Sequence, residues 1–246
     1  MPRLTDQNEI RALLQRDRRW CVYAIGDLSP RMFSKCQWFT PDLTLVLRDY
    51  GTSILFAHGT GSIREALEHV SWPVHLQVQQ DALDEVARYA NVTSVKSMVR
   101  MAWAGGSTRV GDRVTRLSAN DVPAIERLYA DGDSTGESPD FFYGSMVTDG
   151  VFFGVFKGDE LLAAAGTHLV SREEGAAAIG NVYVRSDRRG RGLGRAVTAA
   201  VLHELAGIAT VGLNVRADND AAISVYESLG FVRHCEFREA LAERGL

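Results

Sequence analysis

Residues 179–205, IGNVYVRSDRRGRGLGRAVTAAVLHEL, run from an apolar strand into a glycine-spaced basic turn, and that turn opens an amphipathic helix. Glycine has no Cβ, so backbone N–H groups in such a turn can approach a ligand closely. The unpaired amides of the helix's first turn point at the same place, where the helix dipole favours an anion. Four guanidinium groups add positive charge: Arg188, Arg189, Arg191 and Arg195. The segment therefore predicts a cradle for a pyrophosphate-like anion.

The spacing of the glycines excludes two common nucleotide sites. A P-loop needs GxxxxGK[ST], and no Lys-Ser or Lys-Thr pair lies near this turn. The dinucleotide pattern GxGxxG is not met, because it would end at Arg195 or Val197 instead of glycine. What remains is Arg189-x-x-Gly192-x-Gly194.

This string resembles the [QR]-x-x-G-x-[GA] signature of the GNAT acyltransferase superfamily, which binds the pyrophosphate of acyl-coenzyme A. A second segment, residues 213–231 (LNVRADNDAAISVYESLGF), is similar to the strand, Asn-containing turn and Tyr-bearing helix that follow in that superfamily. Asn219, Tyr226 and the closing Leu229-Gly230-Phe231 fall where relatives have them. The resemblance covers about 130 residues at the C-terminal end and is faint before them.

The resemblance implies an α/β fold with a mixed, mainly antiparallel GNAT-type sheet flanked by helices. Residues 104–113, AGGSTRVGDR, lose apolar periodicity and gather three glycines, which is typical of a linker. We therefore expect a GNAT N-acetyltransferase domain over 113–246 and an α/β domain over 1–105. The order of strands and helices in the first domain is compatible with a degenerate GNAT-like copy. Its Gly59-Thr60-Gly61 turn has no arginines for a pyrophosphate, so we expect a supporting or substrate-shaping role.

Composition and charge argue against several classes of partner. The 246 residues carry a net charge of −4, so the chain has no general attraction for nucleic acid or acidic membranes. Neither a membrane-spanning apolar run nor a signal-peptide pattern is present, and the three cysteines form no CxxC pair. The histidines lack metal-ligand spacing, so no metal is predicted. These observations favour a cytoplasmic protein, for which a homodimer is one allowed assembly.

The resemblance implies how the donor acetyl-CoA would be held. Backbone groups of the β-strand would pair with the pantetheine amides like an added strand, and the glycine turn would hold the pyrophosphate. Asn219 would contact the pantetheine, although an N-cap for the following helix explains this residue equally well. The implied donor-binding residues are Val182, Tyr183, Val184, Arg189, Gly190, Arg191, Gly192, Leu193, Gly194, Arg195, Asn219 and Tyr226.

Two residues are candidates for catalysis by the same resemblance. The backbone N–H of Val182 would donate to the thioester carbonyl, although Val182 is equally well an ordinary sheet residue. Tyr226 would protonate the leaving thiolate. A phenol with a pKa of about 10 can deliver a proton to a thiolate whose conjugate acid has a pKa of about 8.5. The stripe Ala222, Val225, Tyr226 and Leu229 also allows Tyr226 a core position.

The general base is left unassigned by the sequence. Ala178 and Gly180 stand where several relatives place a glutamate. Asn181 alternates with Ile179 and Tyr183, so strand periodicity places its side chain on their face, either lining the cleft or bonded to a neighbouring backbone group. Other candidates border the acceptor cleft of this fold, where solvated loop acids and packing residues are the alternative: Glu137, Asp140, Tyr143 and His168.

These features together predict an acyl-CoA-dependent N-acetyltransferase. The acetyl group would pass from acetyl-CoA to a primary amine of a small molecule, peptide or protein by direct attack in a ternary complex. Acids at 131–140 would favour a cationic amine if their loop covers the cleft. The alternative is a non-catalytic acyl-CoA-binding or regulatory module.

Overall fold

The computed structural model describes residues 3–49, 51–106, 111 and 113–245. Within these ranges the strands are β1 Arg3–Leu4, β2 Cys36–Phe39, β3 Leu43–Asp49, β4 Thr52–His58, β5 Val74–Val78, β6 Ala90–Trp103, β7 Thr115–Arg116, β8 Phe153–Lys157, β9 Glu160–Ser171, β10 Ala176–Val184, β11 Thr210–Arg216 and β12 Phe231–Arg244. The α-helices are α1 Gln7–Leu14, α2 Val22–Gly26, α3 Pro30–Phe33, α4 Ile63–Leu67, α5 Gln80–Val86, α6 Val122–Ala130, α7 Gly144–Asp149, α8 Leu193–Glu204 and α9 Asp220–Ser228.

The chain divides into two compact units that are interleaved in sequence. The first comprises Met1–Met101, Val215–Asn219 and Arg233–Leu246, and the second comprises Ala102–Asn214 and Asp220–Val232. The expected linker at 104–113 lies partly outside the described residues, which omit 107–110 and 112. The boundaries 1–105 and 113–246 therefore remain a prediction.

The second unit is a sheet with strand order β11-β10-β9-β8-β7. The pairs β7–β8, β8–β9 and β9–β10 are antiparallel, whereas β10 and β11 are parallel and joined through α8. Helix α8 buries a continuous run from Val197 to Leu202. A further core joins α6 to the sheet through buried residues that include Ile125, Tyr129, Phe152 and Tyr183. The mixed, mainly antiparallel sheet predicted from the sequence is confirmed.

The first unit repeats the central order of the second. Strands β3 and β4 are antiparallel, and β4 then continues through α4 into a parallel β5. The parallel ladder between β4 and β5 runs from Ser53↔Val74 to Phe56↔Gln77, and β12 pairs antiparallel with the other edge of β5. Its core is formed by buried aliphatic and aromatic residues from these strands and helices, such as Phe39, Leu55 and Val78.

Local signals in the sequence account for the element ends near the motifs. Gly230 has a φ of +92°, so it ends α9 in the left-handed region that favours glycine. The carbonyl oxygen of Leu229 accepts a hydrogen bond from the Trp103 indole at 2.9 Å, and the Ala104 N–H donates to the Gly230 carbonyl. The end of α9 is therefore tied to the end of β6. In the described ranges no helix has both the length and the apolar character to cross a membrane.

Candidate functional site

A β-bulge interrupts β10 in the middle of the predicted site. The ladder with β9 pairs Gly180 with Gly166 and next pairs Tyr183 with Ala164, so Asn181 and Val182 together oppose one residue. Asn181 has a φ of +53°, a left-handed conformation that asparagine tolerates better than most residues. The strict alternation of Ile179, Asn181 and Tyr183 predicted from the sequence is therefore wrong, because the bulge inserts one extra residue.

The parallel ladder between β10 and β11 covers only the first part of β10. It runs from Ala176↔Thr210 to Ile179↔Leu213, whereas β10 continues to Val184. In the described part of the chain, the segment 180–184 therefore has no ladder partner on the β11 side. An extended ligand with amide groups can pair with such a strand edge. Val182, Tyr183 and Val184, all predicted to contact the donor, lie in this segment.

The glycine turn leads directly from this segment into α8. Gly190 and Gly192 have φ values of +72° and +76°, and an added Cβ at either position would meet nothing within 4 Å. Backbone conformation requires glycine here, and the open space leaves room for a ligand. Gly192 is the N-cap of α8 and no side chain caps the helix, so the first-turn amides of Leu193, Gly194 and Arg195 have no intrahelical partner. This geometry fits a bound phosphate or pyrophosphate.

Arg189 is held on the near side of the turn by several contacts. Its guanidinium makes a bidentate pair with Glu137, at 3.1 and 2.9 Å, and its Nε donates to the Val184 carbonyl at 3.3 Å. The guanidinium also lies over the Tyr183 ring, 5.6 Å from its centroid. The hydrogen bonds to Glu137, followed by the charge of Glu137 and the contact with Tyr183, raise the pKa of Arg189, which therefore remains a cation. Arg191 and Arg195 are also exposed.

Asp131 connects the end of α6 to the start of the turn. Its carboxylate accepts hydrogen bonds from the Ser186 N–H at 2.8 Å and from the Tyr183 hydroxyl at 3.0 Å. The Ser186 backbone donor is the main cause that lowers the pKa of Asp131. Burial, followed by the hydrogen bond to Asp131, raises the pKa of Tyr183. Asp131 and Glu137 were expected at the acceptor entrance, but their contacts place them at the glycine turn.

Tyr226 lies in α9 with 7 % of its surface exposed. Its ring packs edge-on against Phe231 with 6.0 Å between centroids. Burial raises its pKa from 10.0 to about 12, so the phenol keeps its proton throughout the neutral range. Of the predicted stripe, Tyr226 and Leu229 are buried, whereas Ala222 and Val225 are half-buried and Ile223 is buried instead. A catalytic role for Tyr226 stays a prediction.

Asn181 and Asn219 differ in surroundings. Asn181 is buried, its carbonyl oxygen accepts from the Tyr129 hydroxyl at 2.7 Å, and its Nδ2 lies 3.5 Å from the Met146 sulfur. Its Oδ1 is buried and has no hydrogen-bond partner among the described residues. Asn219 is exposed just before α9, and its N–H donates to the Arg216 carbonyl. A pantetheine contact for Asn219 stays a prediction.

The first unit has a turn at the place that corresponds to the cradle, and an acid fills it. Asp42 Oδ2 accepts hydrogen bonds from the N–H groups of Thr60 and Gly61, at 3.2 and 3.0 Å. An added Cβ at Gly59 would come to 2.6 Å from the Asp42 carboxyl carbon. A carboxylate of the chain thus takes the position that a phosphate would need. The sequence showed the missing arginines but gave no sign that Asp42 would reach this turn.

Across the described ranges no three His, Cys, Asp or Glu side chains approach closely enough to hold a metal ion. Cys21, Cys36 and Cys235 are free thiols, and burial raises the pKa of each, to about 12 for Cys21. A raised pKa leaves little reactive thiolate near neutral pH.

Comparison with known proteins agrees with this geometry. Residues 121–231 match the Acetyltransferase (GNAT) family. Over 120 residues the chain is 34 % identical to the [ribosomal protein bS18]-alanine N-acetyltransferase of Salmonella typhimurium, covering 48 % of this chain and 79 % of that protein. Over 88 residues it is 44 % identical to the mycothiol acetyltransferase of Streptomyces scabiei, covering 34 % of this chain but only 27 % of that protein's length.

The fold extends beyond the family match. The GCN5-related N-acetyltransferase from Kribbella flavida is 16 % identical in sequence and superposes with a TM-score of 0.59, covering 92 % of this chain and 96 % of that one. The sheet topology is that of the GNAT fold, and the family match places the chain among acyltransferases of the GNAT type. The chain belongs to the GNAT family of acetyltransferases.

Proposed function

We propose that this protein is an acetyl-CoA-dependent N-acetyltransferase that acts on a primary amine by direct attack in a ternary complex. The observation that carries the proposal is the unladdered segment 180–184 of β10, which leads without a break into the uncapped N-terminus of α8. An extended arm and an anionic group of one ligand can occupy these two features together. Bound acetyl-CoA would supply the activated thioester.

Residues of the glycine turn and the first turn of α8 would bind different parts of the donor's pyrophosphate. The amides of Leu193, Gly194 and Arg195 would bind pyrophosphate oxygens, helped by the dipole of the twelve-residue α8. Arg191 and Arg195 are exposed and would supply guanidinium groups, while Gly190 and Gly192 leave the approach open. Arg189 would contribute once it exchanges Glu137 for a phosphate oxygen.

The bulge is where we place the thioester carbonyl. A bulge turns a backbone N–H away from the regular ladder, and the Val182 N–H is the donor that we assign to the developing oxyanion. The Tyr129 hydroxyl holds the bulge by donating to the Asn181 carbonyl, with the hydroxyl itself buried. A buried support of this kind keeps the donor in place without reorganisation during the reaction.

Tyr226 would protonate the leaving thiolate. Its pKa of about 12 ensures that the phenol carries a proton at neutral pH. A thiolate released in the same buried surroundings is desolvated too, which raises the pKa of its conjugate thiol. The pKa values of the phenol and the thiol therefore shift in the same direction. No cysteine is required, so a covalent acyl-enzyme is not part of the proposal.

The acceptor must lose a proton before it attacks. An alkylammonium with a pKa of about 10.4 costs about 4.6 kcal/mol to deprotonate at pH 7, so a base in the site accelerates the reaction. The relatives are named for different acceptors, mycothiol in one case and an alanine of ribosomal protein bS18 in the other. We propose a small-molecule amine or a peptide amine as the acceptor class.

Calorimetry with acetyl-CoA, followed by chromatographic detection of coenzyme A release, tests the proposal. The amines would be 2-phenylethylamine, alaninamide and a short peptide beginning with alanine. We expect binding that Arg189→Ala weakens and turnover that Tyr226→Phe depresses. Failure to bind acetyl-CoA would overturn the donor site, whereas binding without turnover of any amine would favour a regulatory module.

A further inference from the structure

His168 occupies the volume beside the bulge that a side chain at position 180 would otherwise fill. A Cβ built on Gly180 would come to 2.6 Å from Cδ2 of the His168 ring and still closer to its Cε1 and Nε2. The imidazole therefore lies flat against the Gly180 backbone. Only glycine at position 180 allows the ring this position.

A second irregularity of the sheet accompanies this contact. The ladder of β9 and β10 pairs Ala178 with Leu169 and next pairs Ile179 with Thr167, so His168 is the extra residue of a second bulge. Bulges redirect side chains and occur frequently beside functional sites. The neighbouring Thr167 anchors the bulge, because its Oγ1 accepts from the Val151 N–H at 3.0 Å.

The imidazole lies close to the proposed reaction centre. Gly180 is two residues from Val182, and two residues of extended chain span about 7 Å at most. The contact between the imidazole and Gly180 thus places His168 within two residues of the N–H that we assign to the oxyanion. His168 is half-buried, so the ring keeps a route to solvent for proton exchange.

Three other titratable groups of the site have contacts or roles described above. The Asp131 carboxylate accepts from Ser186 and Tyr183, and the Glu137 carboxylate holds Arg189. Tyr226 is the proposed proton donor. Histidine is the side chain best suited to take up and release protons near neutral pH.

We propose that His168 is the general base that accepts the proton of the acceptor ammonium. In this step an ammonium N–H bond breaks, its electron pair stays on the amine nitrogen, and the proton forms an N–H bond on the imidazole. The imidazolium then returns the proton to solvent. The unpartnered Oδ1 of Asn181, buried one residue beyond Gly180, accepts a remaining N–H of the same amine and orients it.

This assignment rests on the proposed acetyltransferase function, and its test uses paired variants of the full chain. His168→Gln keeps a polar side chain of similar length but removes the base, and we expect kcat to fall at least 100-fold. Acetyl-CoA affinity, measured by calorimetry, should stay within about threefold, as expected for a residue outside the donor cradle. His203→Gln, an exposed change on α8, is the matched control and should leave kcat unchanged.

A double variant distinguishes a base from a space-filling ring. Gly180→Glu alone should abolish turnover, because its side chain overlaps His168. The double variant His168→Ala/Gly180→Glu places a carboxylate in the volume that the imidazole leaves. Its kcat should be at least tenfold higher than that of His168→Ala. Added imidazole and methylimidazoles should also rescue His168→Ala, and more strongly as their basicity rises.

The outcomes separate the two proposals. If the wild type acetylates at least one amine and the kcat of His168→Gln is within threefold of the wild-type kcat, then His168 is not the general base. The proposed acetyltransferase function is unaffected by this result. Recovery that is absent from both the double variant and the imidazole series also overturns the base, even if His168→Gln folds poorly. No turnover by the wild type overturns both proposals.

Discussion

Glu137 holds Arg189 in a bidentate ion pair, with guanidinium to carboxylate distances of 3.1 and 2.9 Å. Both side chains are nearly half exposed, at 43 % and 48 %. The Glu137 carboxylate thus pairs with one of the cations that we propose for pyrophosphate binding. An exposed pair of this kind is weak enough to be exchanged for a ligand.

Glu137→Gln should therefore strengthen acetyl-CoA binding. An exposed ion pair contributes at most about 1 kcal/mol, so the dissociation constant should fall by up to about fivefold. Calorimetry at one fixed ionic strength measures the change. Glu173→Gln makes the same charge change on an exposed turn and should have little effect. Weaker binding by Glu137→Gln would mean that Glu137 positions Arg189 instead of competing for it.

Gly192→Ala should reduce donor binding more than it reduces stability. The left-handed backbone costs an alanine about 1–2 kcal/mol, and the added methyl group would stand where the ligand approaches. Gly51 has a φ of +75° and equally open space in the first unit, so Gly51→Ala is a matched control. Thermal unfolding should show similar losses for both variants, and calorimetry should show weaker acetyl-CoA binding only for Gly192→Ala. Equal affinities would remove Gly192 from the cradle.

Tyr226→Phe should lower kcat by about 100-fold with a small change in KM for the donor. The phenylalanine fills the same buried volume, so the loss would report the missing proton and not a packing defect. Steady-state kinetics by coenzyme A release measures it. Tyr89→Phe, at an exposed tyrosine of the first unit, is the comparison. An unchanged kcat for Tyr226→Phe would refute the general acid.

Asp27 should make the stability of the first unit pH-dependent. Burial, followed by the charge of Asp49, raises its pKa from 3.8 to about 7. The folded state then binds a proton that the unfolded state releases between about pH 4 and 7, so this contribution falls as pH rises through 7. Its size is up to about 4 kcal/mol, because one pKa unit corresponds to about 1.4 kcal/mol.

The comparison of Asp27→Asn with the wild type isolates that contribution. Denaturant unfolding at pH 5 and pH 8 measures the free energy of unfolding of both proteins. The free energy of the variant relative to that of the wild type should be higher at pH 8 than at pH 5. Asp159→Asn, an exposed change in a hairpin turn, should follow the wild type at both values. A constant difference between Asp27→Asn and the wild type would contradict the raised pKa.

Arg100 is fully buried among the aromatic rings of Trp20, Tyr23 and Phe237, at 5.1, 4.5 and 5.4 Å from their centroids. Its guanidinium nitrogens have no hydrogen-bond partner among the described residues, and burial lowers its pKa. Arg100→Met should therefore be neutral or stabilising by about 1–4 kcal/mol, by analogy with buried charges replaced by apolar residues. Arg100→Ala should cost about 2–5 kcal/mol, because it leaves a cavity. Denaturant unfolding of both variants is the measurement, and a large loss with methionine would reveal an anionic partner.

Local patterns predicted the C-terminal elements well. The sequence predicts a strand at 210–216, which the structure has as β11 Thr210–Arg216. It also predicts that Gly230 ends the preceding helix, and Gly230 has the left-handed φ that this role requires. These features depend on period, capping and glycine chemistry, all of which are local. The sequence pattern predicts a last strand from Phe231 to Phe237. The structure extends this strand, β12, to Arg244, because its second half pairs with β5, a contact across more than 150 residues.

Contacts between distant residues were beyond the reach of these patterns. Period two predicts a regular β10, and nothing local to it shows the bulges at Asn181 and His168, which depend on how β9 is paired. The pairing of Glu137 with Arg189 and of Asp42 with the turn at Thr60 likewise joins segments far apart in sequence. The motif predicted the glycine turn, whereas the acids that contact Arg189 and Ser186 became visible only in three dimensions.

The short parallel ladder between β10 and β11 also bears on self-association. An open strand edge on the outside of a sheet invites pairing with another protein chain, which needs a neighbouring strand about 4.8 Å away. The unladdered edge of β10 is limited to 180–184, and the paired first half of β11 stands beside it in the same sheet. A single extended ligand without side chains can pair with this short edge. A β-strand of another protein, which carries side chains on both faces, fits it poorly. The feature that we propose for donor binding would thus also protect the protein against edge-to-edge aggregation.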